Sequence, residues 1–158
     1  DPRIVLVLAG DHVYKMDYAR MIQEHVARRA DMTVGCVEVP IAEATQLGVM
    51  EVDEKFQVTG FKEKPAQPKP MPGTTDTALG SMGIYVFNAP FLYEQLIRDA
   101  DDANSDHDFG HNIIPHLVAA GYRVSAHRLK DSCTQLNDGQ PSWRDAGTIA
   151  TYWEANME

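Results

Sequence analysis

The chain has 158 residues, with 14 Lys and Arg against 23 Asp and Glu, a formal net charge of -9 and 44% hydrophobic residues. That is the length of one domain, enough to bury roughly 70% of the unfolded surface. The acidic balance argues against a nucleic-acid phosphate partner, and the apolar content excludes a disordered chain. No run of about 18 apolar residues is present, so no membrane helix is expected.

The first stretch, Ile4 to Leu8, is five aliphatic residues in a row, followed by Ala9, Gly10 and Asp11. An unalternated run predicts a strand covered on both faces, the usual state of a central strand in a parallel sheet. Ligands of such sheets gather at the carboxyl ends of strands, which makes Asp11 either a site carboxylate or a simple turn cap. The chain opens at Asp1 without Met and enters a strand almost at once, so a piece of a longer protein is expected. Tyr18, Met21, Ile22 and Val26 then recur at helical spacing, with Asp17 as N-cap and Arg28 and Arg29 in the last turn of a helix reaching about Ala30. Thr33 to Val39 reads as a second strand ended by Pro40, completing a βαβ unit.

Gly48 to Lys64 predicts a hairpin with its turn over Asp53 to Gln57, closing on Phe61, Lys62, Glu63, Lys64 and Pro65. Lys62 and Lys64 share one face of that strand and Glu63 takes the other; exposed runs of this kind are most often solvated surface. Pro65 to Thr77, with four prolines, reads as a loop, and Leu79 to Phe87 as a buried strand. Asn88 is placed to cap a helix bearing Phe91, Leu92, Leu96 and Ile97, and an acidic loop follows from Asp99 to Asp106. A helix is expected from Asp108 to Ala120 with Gly121 as its stop, then a strand over Tyr122 to Leu129. Lys130 to Ser142 is polar and turn-rich, and Thr148 is a good N-cap for a final helix.

Several residues carry less than they promise. Cys36 and Cys133 form no close-spaced motif, which favours a reduced, cytoplasmic setting. His107, His111 and His116 lack the acidic or cysteine partner of a zinc spacing. Gly80 and Gly83 fall before or within a strand, where neither a P-loop nor a dinucleotide fingerprint belongs.

The order of LAGDHVYKMDY, GVMEVDEKFQVTGFKEKP, GSMGIYVF, DHDFGHNIIP and WRDAGTIATYWEANM resembles the bacterial glucose-1-phosphate adenylyltransferases over essentially the whole chain. The resemblance implies an α/β, three-layer, Rossmann-like nucleotidyltransferase domain with a mixed, mostly parallel sheet. Residues 1–158 would be the C-terminal portion of that catalytic domain, without its N-terminal triphosphate-binding loop and without the β-helix that follows it in the family. It further implies a cytoplasmic, allosteric enzyme of glycogen-type synthesis, a homo-oligomer and by family a tetramer, acting on ATP and glucose 1-phosphate.

By the same resemblance, a phosphate oxygen of glucose 1-phosphate attacks the α-phosphorus of ATP, a reaction catalysed mainly by positioning and charge neutralisation. Asp11 and Asp145 look like the pair that holds Mg²⁺, a hard cation suited to carboxylates. Lys64 matches the lysine on the sugar phosphate, and Glu63 suits glucose hydroxyls as a pure acceptor. Gly48 and Ser81 match further sugar-phosphate contacts, and Tyr85, Asp108 and Trp143 resemble pocket lining. A sibling enzyme using UTP or dTTP, or a subunit that binds sugar phosphate without turnover, are the other readings.

Overall fold

The structure, a computed structural model, describes residues 2–133, 136–137, 140–141 and 143–157, without the side chains of 136, 137, 140 and 145. In chain order the elements are β1 (Ile4–Val7), β2 (His12–Tyr14), α1 (Tyr18–Ala27), β3 (Met32–Pro40), α2 (Ile41–Ala44), β4 (Gly48–Val52), β5 (Val58–Glu63), β6 (Thr77–Asn88) and α3 (Ala89–Ala100). A π-helical turn, Phe109–Ile113, runs into α4 (Ile114–Ala119), followed by β7 (Val124–Arg128), β8 (Leu136–Asn137), β9 (Gln140–Pro141), β10 (Trp143–Asp145) and α5 (Ile149–Asn156). Part of the polar stretch expected over Lys130 to Ser142 lies outside the described residues.

The α/β class is as expected, but the sheet is mostly antiparallel. Its order is β5-β4-β6-β3-β7 with β1 also on β6, and β3–β7 is its parallel pair among the described residues. Among the described residues β1 pairs with β6, antiparallel rather than parallel as expected, and its residues are half-buried. Its aliphatic run is nonetheless explained, because Val5 and Val7 pack into one core cluster and Ile4 and Leu6 into the other. Both faces are covered, and coverage is all that an unalternated run reports; it leaves the lateral neighbour and its direction open. The expected βαβ unit is split for the same reason. β1 and β3 run the same way, with β6 inserted antiparallel between them.

The 12-residue β6 is the spine of the molecule. One edge is paired with β3 from Pro40↔Thr77 to Met32↔Phe87, with a register shift between Gly35 and Cys36. The other edge is shared by two strands. β4 takes its first half through Met50↔Leu79 and Val49↔Gly80, and β1 its last part from Val7↔Tyr85 to Ile4↔Asn88. Residues 81–84 lie between these two neighbours.

Local signals account for the rest. Asp17 caps α1, its carboxylate accepting from Ala19 N at 3.0 Å. In the β4–β5 turn, Asp53 Oδ1 accepts from Lys55 N and Gln57 N at 2.8 and 3.0 Å. Thr148 and Thr151 form a capping box at the start of α5. Asn88 does precede α3, but its side chain makes no cap; it donates to Ala30 O and meets His25 Nε2 instead. The helix expected from Asp108 begins as the π turn, which Asp108 caps through His111 N at 2.8 Å.

Candidate active site

A cleft of about 220 Å³ opens beside residues 81–84 of β6, where neither β4 nor β1 covers the strand. Its floor is Ser81, Gly83 and Tyr85. Gly83 has φ of +68°, and a Cβ there would stand 3.2 Å from His12 Cε1 and 3.3 Å from Ala9 Cβ. Only glycine meets both demands, so this irregularity in β6 is what lets the chain after β1 come down onto the strand.

One wall is the open end of the β4–β5 hairpin. Gly48 pairs with Glu63 across it, and both line the cleft with Gln46 and Leu47. The Glu63 carboxylate lies in a slot between two glycines: a Cβ on Gly48 would be 2.9 Å from its Oε2, and one on Gly110 2.6 Å. The opposite wall comes from the chain after β1 and from the β2–β10 ribbon. Asp11 projects there with its carboxylate 60% exposed, and His12 Nε2 lies 3.5 Å from Asp11 Oδ1. The His12 ring meets Trp143 edge-on at 5.0 Å. Among the described residues His12 Nδ1 and Trp143 Nε1 are buried without a hydrogen-bond partner, so each wall residue keeps polar capacity unspent.

Asp145 is placed by its backbone alone. It pairs with His12 in the β2–β10 register, and Ala146 N donates to Asp11 O at 2.7 Å. The two aspartates therefore belong to directly adjoining chain segments; the Asp145 side chain lies outside the described residues. Tyr85 is buried, and that burial pushes its phenol up from the ordinary value, keeping it a hydroxyl at neutral pH. Its ring leans on Phe109 at 5.1 Å.

Two expected site residues are not on the cleft surface. Lys64 is exposed just beyond β5, where φ of +43° turns the chain and its N–H donates to Leu47 O at 3.0 Å. It stands on the rim, one residue from Glu63. Asp108 uses its carboxylate to cap the π turn and stands behind Glu63, its Oδ1 3.4 Å from where a Gly110 Cβ would be. Conversely, sequence reasoning did not name His12, Gln46, Leu47 or Gly83 as site residues. The Gly-Asp-His run was the available signal for His12, whereas Gly83 was readable only as a glycine inside a strand.

In chemical terms, the cleft places a carboxylate acceptor, a hydroxyl pair and two glycine backbones on one side, and a solvent-facing carboxylate with an imidazole and an indole on the other. The donor set suits Mg²⁺. That ion commonly takes one or two carboxylates and completes its shell with water and substrate phosphates, and Asp11 offers exposed hard oxygens with the Asp145 backbone alongside.

The nucleotidyl transferase family profile matches residues 1–158. The chain is 63% identical, over 98% of its length, to a protein of Methylobacillus flagellatus named glucose-1-phosphate adenylyltransferase. Proteins of the same name from Nitrosomonas europaea and Nitrosospira multiformis are 55% and 54% identical over the whole chain. The chain spans 36–37% of the length of these curated relatives. Among the described residues no helix is long and apolar enough to cross a membrane. With a profile match from end to end and relatives above 50% identity, the chain belongs to the nucleotidyl transferase family.

Proposed function

We propose that the protein of which this chain is part transfers the adenylyl group of ATP to glucose 1-phosphate, releasing pyrophosphate and ADP-glucose for glycogen-type synthesis. The observation that carries this reading is the two-walled cleft on β6, with Glu63 and Ser81 opposite Asp11, in a chain 63% identical to a protein of that name. Glu63, held in its glycine slot, accepts hydrogen bonds from glucose hydroxyls. Ser81 and the buried, protonated Tyr85 supply hydroxyl donors on the floor, and the open backbone at Gly48 gives the sugar room. Lys64, on the rim beyond Glu63, is the point charge for the sugar phosphate, which places that phosphate at the cleft mouth.

Asp11 and Asp145 would hold Mg²⁺, which supplies neutralisation of the phosphate charge during transfer. His12 and Trp143 back that wall and fix its position beside the Gly83 irregularity. Residues beyond these 158 complete the ATP site. A cytoplasmic homotetramer under allosteric control belongs to the same proposal. Ile149, Tyr152, Trp153 and Met157 leave α5 with an exposed apolar surface, which the rest of the protein or a neighbouring protomer would cover.

The test is a nucleotide panel on the full-length protein with glucose 1-phosphate. ADP-glucose and pyrophosphate should form with ATP in strong preference to UTP or dTTP. A preference for either of the latter, or sugar-phosphate binding without turnover, would overturn the assignment.

A further inference from the structure

The closed end of the β4–β5 hairpin faces a second recess, independent of the reading above. It has a volume of about 420 Å³ and is lined by Arg28, Lys55, Gln57, Arg123 and Ser125 over a floor of Ala30 and Val124. Among the described residues, three of those lining it are cations and none is a carboxylate, in a chain of net charge -9. The surface of such a protein is expected to mix signs, or to lean acidic, so a hollow lined by three cations, two of them without a carboxylate partner among the described residues, is the exception to explain.

The cations have fixed attachments: Arg28 by its guanidinium, Lys55 and Arg123 by their backbone. Arg28, at the end of α1, donates from Nη1 to Ser125 Oγ at 2.8 Å and to Lys55 O at 3.2 Å, and pairs with Glu24 one turn back. Ser125 is 6% exposed, so the guanidinium is fastened to a buried wall of β7. Lys55 sits in the turn that the Asp53 carboxylate pins. Arg123 is fixed by its backbone N–H, which donates to Asp31 Oδ2 at 2.9 Å. Glu24 is divided between Arg28 and His127, and Asp31 is engaged by that backbone N–H; among the described residues the Lys55 ammonium and the Arg123 guanidinium meet no carboxylate.

The geometry points to a binding site for a phosphate-bearing anion in the recess formed by Arg28, Lys55 and Arg123. Forked guanidinium donors match phosphate oxygens, and an ammonium adds a movable point charge. The volume exceeds what a bare phosphate needs and falls within the range of roughly 300–1,000 Å³ usual for small-molecule sites, so a phosphate monoester of a small metabolite fits. The site is distinct from the cleft: Gly48 and Glu63 lie at one end of the hairpin, Lys55 and Gln57 at the other. Five strand residues separate the two ends by roughly 15–20 Å.

Calorimetric titration of the full-length protein with inorganic phosphate, and separately with glycerol 3-phosphate, tests this. Each titration is run with and without saturating glucose 1-phosphate to fill the cleft. Binding should persist when the cleft is filled, weaken as salt is raised, and fall at least about tenfold in a Lys55→Gln/Arg123→Gln double variant. Arg20→Gln, a cation outside the recess, should bind like the unaltered protein. Uptake of inorganic phosphate alone would assign the recess to free phosphate, and uptake of both to monoesters. No detectable binding, binding abolished by glucose 1-phosphate, or a double variant that binds normally would each overturn the site. If glucose 1-phosphate itself fails to bind, the proposed reaction is refuted while the comparison of variants still decides the recess.

Discussion

Gly110→Ala separates the role of Glu63 from the stability of the fold. Gly110 is buried in the π turn, and an added Cβ would lie 2.6 Å from Glu63 Oε2 and 3.3 Å from its Cδ. Ordinary non-bonded contact is about 3.5 Å, so the carboxylate must retreat by roughly 1 Å. The atom that yields is the end of a flexible side chain, and alanine is the better helix former by about 1 kcal/mol, so the melting temperature should hold or rise. Function should not hold. If Glu63 accepts hydrogen bonds from the sugar, losing one is worth about 1.5–3 kcal/mol, a rise in KM for glucose 1-phosphate of about ten- to a hundredfold. The KM for ATP should barely move. The assay is steady-state kinetics of the full-length variant with glucose 1-phosphate varied at saturating ATP, beside calorimetric melting on the same preparation. A normal sugar-phosphate KM in a normally stable variant would refute the placement of Glu63, and a collapse in melting temperature would show that Gly110 serves packing.

Three further outcomes are expected. Lys64→Gln should raise KM for glucose 1-phosphate about ten- to a hundredfold with little change in kcat, as for uniform binding; an unchanged KM would return Lys64 to the solvated rim. Asp145→Asn should leave glucose 1-phosphate binding intact while kcat falls on the order of a hundredfold or more, and a destabilised but fully active variant would refute its metal role. His25, buried between Thr33 Oγ1 and Asn88 Oδ1 at 2.7 and 3.0 Å, has its pKa lowered chiefly by burial. Its neutral form is favoured in the fold, so its contribution is present above the unfolded value of about 6.5 and is lost as pH falls below it. His25→Gln should therefore flatten the pH dependence of stability in that range, as read from melting curves between about pH 8 and 5.

Much of the local structure was legible because it is written in short-range chemistry. Asp17, Pro40, the Asp53 turn and Thr148 mark their element ends as the residue types require. What eluded the sequence is lateral. The run Ile4–Val7 reports two covered faces, and nothing in it distinguishes a parallel neighbour from the antiparallel β6 that the chain supplies far downstream. Asn88 shows the same limit on a smaller scale, since a helix-start residue whose amide is claimed by His25 and Ala30 looks like any other. For the site, resemblance brought Glu63, Gly48, Ser81 and Asp11 to one cleft, and the structure gathers them there. His12 and Gly83 were harder to see because each matters through the other: the imidazole needs the missing Cβ beneath it, a dependence across many residues that no local pattern encodes.

The shared edge of β6 also bears on how such a cleft can change. The hairpin proposed to face the sugar and the carboxylate-bearing wall are attached to one strand at different points, with the floor residues between them. Alterations on the two flanks that leave the shared floor and core in place should then combine nearly additively in binding free energy. Under the proposed reading, a lineage could remodel the hairpin to accept a different sugar while leaving the other wall untouched, whereas substitutions in the floor, at Ser81 or Gly83, would be felt by both.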